Sequence, residues 1–340
     1  MKKQLITFGF ALGLGCNMFG QQDQHFSMFT ESPVYLNPAT AGFTPGDMQL
    51  FTNYRLQWST ATDNPYRTIS ASTDWKMLDY GGGRMGAGLN FYNDAAGITK
   101  YQTNVISMPL NYVFRINRGH QIAIGLQPAF YQRTIKNTDI TWQNQWNGVE
   151  FDKTINNDEL LLSQNFTVSR FDISAGAYWE GYFTKNAKLK IGVSGQHLTK
   201  QRVNFANEDE RLYRKLNIHG QAEFKNDLTG VTIMPAFVAF LQGPNKEIVV
   251  GSNFRFLLKG ASLATNYFDE VTLSVGSYFR VGDALILNTI FNVAGFSFGA
   301  SYDLNISKLN IATRGVGAME FFIKYNIEFG MRNLRNNRVH

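Results

Sequence analysis

Beyond position 16 the chain contains no cysteine, since Cys16 is the only one in 340 residues. That excludes a disulfide framework and any thiolate metal site from everything that follows. Charge is also scarce, at 17% of residues. The formal +6 comes largely from the ends, with Lys2 and Lys3 at the start and Arg332, Arg335 and Arg338 in the last ten residues. The body between is close to neutral and has no basic stripe to follow a phosphate backbone, so nucleic acid is not an expected partner. Long apolar runs are missing too. No segment beyond the first twenty residues has the eighteen or so consecutive apolar residues a membrane helix needs, so a membrane-spanning form would have to be a closed sheet.

Aromatic residues are plentiful, at 14% of the chain, with 28 Phe and 15 Tyr against 8 Pro. They favour strands and suit a lipid-facing surface. The start reads as a leader: Lys2 and Lys3, an apolar run from Leu5 to about Gly15, then small and polar residues up to Gly20. Such a run is too short to span a bilayer and matches a secretory signal cleaved after Gly20. Gly13 stands where a lipoprotein signal would carry Leu, which argues against acylation of Cys16.

The dominant pattern has a period of two. Phe171, Ile173, Ala175, Ala177 and Trp179 alternate with Asp172, Ser174, Gly176, Tyr178 and Glu180, where a helix would group its apolar residues three and four apart. The same alternation predicts strands over 48–57, 67–76, 84–93, 103–115, 120–133, 169–181, 187–199, 213–225, 230–241, 247–257, 271–280, 284–292, 296–305 and 318–330. That is about fourteen strands of the length a tilted membrane strand needs. Small alternate positions such as Gly86, Gly88 and Asn90, or Gly192, Ser194 and Gln196, are expected to face a wet lumen. Short connections at 116–119, 182–186 and 226–229 alternate with longer ones at 134–168 and 200–212, as periplasmic turns alternate with external loops in membrane barrels. The alternation weakens later, where 258–270 falls on the periplasmic side and a short turn follows Arg280 on the outer side.

The predicted architecture is an all-β, antiparallel outer-membrane barrel in four parts. Residues 1–20 form a signal peptide, 21–47 a periplasmic or plug segment, 48–330 the barrel, and 331–340 a basic tail. Pro33, Pro38 and Pro45 keep the second part out of a ladder, while Phe26, Phe29, Tyr35 and Leu36 need burial. This predicts a partial plug in the periplasmic mouth.

The sequence assembles no enzyme, metal or cofactor site. His25, His120, His197, His219 and His340 are far apart, and none has a carboxylate or second His at ligand spacing. Gly81, Gly82, Gly83, Gly86 and Gly88 lack the helix and Lys-Ser/Thr of a phosphate loop and are read as a tight turn. Asp152, Asp158 and Glu159 are not at calcium-ligand spacing. His197, with Glu180 on a neighbouring strand, has no paired Ser nucleophile.

Two stretches carry a resemblance. The first is Gln24, His25, Phe26, Ser27, Met28, Phe29, then Tyr35, Leu36, Asn37, Pro38, Ala39, Thr40, Ala41 and Gly42. The second is Gly299, Ala300, Ser301, Tyr302, Asp303, Leu304 and Asn305, followed by Gly317, Met319 and Glu320. In order and spacing they resemble the PorP/SprF family of type IX secretion and gliding-motility outer-membrane proteins of the Bacteroidetes, over essentially the whole mature chain. A tail with three arginines after Phe329 departs from the family's usual ending. The resemblance implies a noncatalytic outer-membrane protein that delivers or holds a secreted surface adhesin through its C-terminal region, or other type IX cargo, or that docks periplasmic secretion-ring proteins. The rival expectation is a passive or ligand-selective pore.

Phe26, Tyr35, Leu36, Asn37, Pro38, Ala41 and Gly42 are the candidate plug residues. Ser301, Tyr302, Asp303, Asn305 and Glu320 are the candidate lumen group, in which Asp303 is expected to meet a base such as Arg255 or Arg280. Trp142 and Trp146, in the longest loop, are candidate partner contacts or packing for the barrel rim.

Overall fold

The computed structural model describes residues 23–60, 62, 64–80, 82–97, 101–135, 143–152, 154–155, 166–202, 211–260, 270–307, 313 and 315–329. The expected leader (1–20), the basic tail (331–340), Trp142, Asp158 and Glu159 lie outside the described residues.

Alternating side chains with few interior breakers give long strands. The first group is β1 (Met48–Gln57), β2 (Tyr66–Tyr80), β3 (Gly83–Ala96), β4 (Tyr101–Ser107), β5 (Leu110–Arg115), β6 (His120–Ile135), β7 (Phe166–Thr184) and β8 (Ala187–Gln196). The second is β9 (Lys215–Asn226), β10 (Val231–Gln242), β11 (Asn245–Lys259), β12 (Val271–Arg280), β13 (Ala284–Val293), β14 (Phe296–Asn305) and β15 (Val316–Ile327). All form one antiparallel sheet, and β1 pairs with β15 from Met48 opposite Ile327 to Gln57 opposite Ala318, which closes the barrel. β4 and β5 both lie between β3 and β6. They are halves of one stave, interrupted at Met108 and Pro109 because proline has no N–H for the ladder. Alternation runs straight through the break, with Val105, Ser107, Asn111 and Val113 all buried. The barrel therefore has fourteen staves, and the predicted strands match them even in the later region where the loop pattern weakens.

One face of each stave is apolar and faces outward. Ile122, Ile124 and Leu126 on β6, and Phe171 and Ile173 on β7, are exposed, Phe171 to 78%. Asp172, Ser174, Tyr178 and Glu180, alternating with the β7 pair, are buried inside. That is the inverse of a soluble sandwich and fits a surface solvated by lipid.

The two ends of the barrel differ. The end where the chain enters β1 carries the short connections 81–82, 116–119, 185–186, 227–230 and 294–295 together with 260–270. The opposite end carries 58–65, 136–165, 197–214 and 306–315 along with tighter turns. We refer to them as the short-turn end and the long-loop end.

Residues 23–47 run inside the barrel. Two single-turn 3-10 helices, Pro33–Tyr35 and Pro38–Thr40, supply the only helical turns of this stretch, and both are entered through proline. Fixed φ and a missing donor suit proline to a first helical position. Three apolar clusters seat the segment against the wall. Phe29 and Leu36 pack with Val238, Phe240, Tyr278 and Ile286. Met28 and Tyr35 meet Phe51, Ile290 and Phe322. Ala39 and Phe43 meet Val113, Ala123 and Tyr178. Burying a Phe, Leu or Met contributes about 1.5–3 kcal/mol each.

Two findings revise the sequence reading. Many small lumenal positions face this segment, where a wet lumen was expected. A Cβ on Gly125 would lie 2.5 Å from the Ala39 amide nitrogen, and one on Gly86 would collide with the Ala41 carbonyl oxygen. The segment also reaches well past the mouth it enters by. Asp47 is tied to β15 and β2 at the short-turn end, whereas Asp23 contacts His197 and Gln242 at the long-loop end. At that far end Ser27 and Asp23 meet charged partners, Asp303 and Glu320 for the first and His197 for the second.

Gly125→Val should keep a folded, heat-modifiable barrel but push Ala39 from its seat. Chymotrypsin cleavage at Phe26, Phe29, Tyr35 or Phe43, followed by mass spectrometry, should then accelerate by about tenfold or more, as expected when opening becomes easier by about 1.4 kcal/mol. A cleavage rate equal to that of the unmodified protein would show that the close approach is not what holds the segment.

Candidate functional site

Asp303 on β14 and Glu320 on β15 point inward because they alternate with outward neighbours, and antiparallel pairing sets Ser301 opposite Glu320. Arg55 on β1 joins them because β1 closes on β15 with Arg55 opposite Glu320. Arg280, at the end of β12, completes the group. Arg55 Nη1 donates to Glu320 Oε2 at 3.0 Å, and its Nη2 donates to Asp303 Oδ2 at 3.2 Å. Arg280 Nη2 reaches the same Asp303 oxygen at 3.1 Å. All four side chains are almost fully buried, and charges this far from water persist only when paired and hydrogen-bonded.

The segment supplies the remaining bonds. Ser27 Oγ donates to Asp303 Oδ2 at 2.8 Å and accepts from Arg55 Nη1 at 2.5 Å and Arg280 Nη2 at 3.2 Å. One donor and two acceptor sites is the full capacity of a hydroxyl. The amides of Ser27 and Met28 donate to the two oxygens of Glu320 at 2.7 and 3.2 Å, and Asn53 Nδ2 adds a bond at 3.1 Å. Glu247 lies 3.3 Å from Arg280 Nε and 3.4 Å from His25 Nδ1. Of the two bases expected for Asp303, Arg280 reaches it and Arg255 does not. Arg55 was not anticipated, because nothing local in β1 marks it.

A second clasp holds the start of the segment. His197, just beyond β8 with φ 57°, has Nδ1 2.7 Å from Asp172 Oδ2 and Nε2 2.5 Å from Asp23 Oδ2. Burial works against a charged imidazole, but the flanking carboxylates outweigh it and raise His197 to about 9. Thr199 Oγ1 donates to the other oxygen of Asp172, at 2.6 Å. Both ring nitrogens are thus committed to carboxylates, so His197 has no free site to take a proton from a nucleophile. The sequence reading missed this trio, whose members are far apart in the chain.

Lower down, Asn37 Oδ1 accepts from the Ala39 amide at 3.0 Å, and its Nδ2 donates to the Ala177 and Val193 carbonyls at 2.9 and 3.3 Å. Asn217 donates to the Leu36 carbonyl at 2.9 Å, Ser194 donates to the same oxygen, and Asn111 donates to the Ala39 and Ala41 carbonyls at 2.6 and 2.7 Å. Tyr35 donates to the Ala71 carbonyl at 2.8 Å, and Phe26 packs edge-on against its ring. Gly42, at φ 70°, gives its N–H to Asp74 at 2.9 Å. Pro38 is buried in the second 3-10 turn. Asn305 bonds Thr313 at 3.2 Å, while Ser301 is buried without a hydrogen-bond partner. Tyr302 points to the opposite face from Ser301 and Asp303.

Trp146 belongs to a small exposed turn. It bridges to Phe151, with ring centroids 5.0 Å apart, and both are about half exposed. In the same loop, Asp152 caps its own turn by accepting from Thr154. Among the described residues no group of three or more His, Cys, Asp or Glu is placed to hold a metal ion.

A family model described as type IX secretion system membrane protein PorP/SprF matches residues 18–325. No curated protein matches the sequence. Among solved structures, the fold is similar to the CymD monoaromatic hydrocarbon channel, with a TM-score of 0.50 and 11% identity over 88% of this chain and 93% of that one. It is similar to the same degree to the toluene transporter TbuX of Ralstonia pickettii, with a TM-score of 0.50, 11% identity and the same coverage. At that identity the likeness concerns the barrel fold alone.

Replacing Arg55 by Met should leave Asp303 and Glu320 under-compensated and lower unfolding stability in urea by about 3–5 kcal/mol. A loss below about 1 kcal/mol would mean that the cluster is not what secures this end. The His197 clasp should respond to alkali. A raised folded-state value means its contribution is complete below about pH 6.5 and is lost as pH rises through about 9. Chymotrypsin access to Phe26 should therefore climb between pH 7 and 9.5 in the unmodified protein and stay flat in His197→Gln.

Proposed function

Because this chain belongs to the PorP/SprF family of type IX secretion system membrane proteins, we propose that it works as a noncatalytic outer-membrane platform that holds a partner protein. The observation that carries this reading is the segment 23–47, bonded inside the lumen by buried charge at one end and by carbonyl contacts along its length. An open conduit has no use for such a filling. A platform gains rigidity from it, because every stave it touches is braced against the others.

On this reading the short-turn end faces the periplasm and the long-loop end faces outward, as loop lengths in membrane barrels go. The secreted adhesin or other type IX cargo meets the long loops, and periplasmic ring proteins meet the opposite end. Trp146, Phe151 and Val149 supply an outward apolar contact. Val149 is 85% exposed, and a large aromatic side chain such as that of Trp146 is the type that anchors interfaces.

Two measurements test the proposal. In a planar bilayer the intact protein should pass little current, and a version lacking residues 21–46 should open a stable pore. Affinity capture from solubilised outer membrane should return a large secreted protein or ring components near stoichiometry, and Trp146→Ala with Phe151→Ala should reduce the secreted component several-fold without altering the barrel. An intact protein that conducts freely and purifies alone would establish the pore reading in its place.

A further inference from the structure

Beneath the segment, the short-turn end of the lumen holds a cavity of about 560 Å³. Pockets for small ligands run roughly 300–1,000 Å³. Its wall is rich in charge, and most of that charge is matched. Lys188 reaches Glu180 at 3.0 Å, Lys190 reaches Glu223 at 2.5 Å, and Lys324 reaches Glu31 at 2.5 Å. Asp74 accepts from Gly42 N–H at 2.9 Å and from Gln49 Nε2 at 3.4 Å. All four acids lining the cavity are therefore engaged.

Arg255 lines the same cavity from β11. It is the base that was expected to meet Asp303 and does not. Its Nε is buried and has no hydrogen-bond partner. Its charge acts on Glu31 and Glu223, but each of these is already bonded to its own lysine. A guanidinium offers a planar fork of donors that matches a carboxylate at two points, and the four acids that line the cavity beside Arg255 are each engaged by other partners. Nearby, Phe29, Phe43, Tyr178 and Tyr182 line the cavity with rings.

We propose that Arg255 anchors a carboxylate ligand in this cavity, one whose acid group is joined to a small apolar or aromatic body. The ligand is either a free organic acid or the C-terminal residue of a peptide entering from the short-turn end. The inference goes beyond the secretion reading and does not depend on it.

The test is calorimetric titration of the full-length protein in detergent with benzoylglycine and with N-acetyl-Gly-Gly-Phe, each as free acid and as amide. Acid should bind at least about tenfold more tightly than amide, and Arg255→Gln should abolish that preference while Arg255→Lys keeps part of it. Binding of both acids identifies a free organic acid as sufficient, and binding of the tripeptide acid alone identifies a chain terminus. Equal affinities for acid and amide, no binding of either acid, or an unchanged preference in Arg255→Gln would overturn the proposal. The acid–amide comparison uses the unmodified protein, so it decides the matter even if Arg255→Gln does not fold.

Discussion

Closing fourteen staves into a barrel creates an interior too wide for the wall's own side chains to fill. Eight strands can pack their inward residues against one another, while larger barrels are left with a channel or need something to occupy it. In this protein the residues just upstream of β1 occupy it. The inward residues follow from that: glycine where the segment's backbone comes close, Asn and Ser where its carbonyls need donors, and paired ions where it crosses toward the long-loop end.

The segment also explains why buried charge is tolerated. Arg55, Arg280, Asp303 and Glu320 could not sit together inside a membrane barrel on Coulomb attraction alone, since desolvation would offset much of the gain. Ser27 supplies the hydroxyl at which three of them meet, and the amides of Ser27 and Met28 complete Glu320. Cluster and segment stabilise each other. The His197 clasp repeats the arrangement nearby, with one carboxylate from the wall and one from the segment.

The staves were legible in the sequence because a period of two is a local signal, written within ten residues at a time. The stretch around Tyr35, Asn37 and Pro38 was legible as something other than a strand, because proline forbids the ladder. The pairings were not legible. Nothing near Arg55 points to Glu320, which lies 265 positions away. His197 looked isolated because Asp23 and Asp172 approach it from other parts of the chain. The two stretches that carried the family resemblance looked independent, yet Ser27 of the first bonds Asp303 and Glu320 of the second. Arg255 looked interchangeable with Arg280 by alternation alone, and only their heights along the barrel separate them.

The bond between Ser27 and Glu320 joins residues 293 positions apart. It cannot form until β15 has been synthesised and brought alongside β1. The segment, which precedes every stave in the chain, is thus among the last parts to be fixed, and its polar groups must stay solvated or sheltered while every stave is added. Contacts of such sequence separation make for slow folding. Sealing the barrel and docking its filling therefore become one late event in assembly, and a chain interrupted before β15 would present an open sheet edge and an undocked leading segment together.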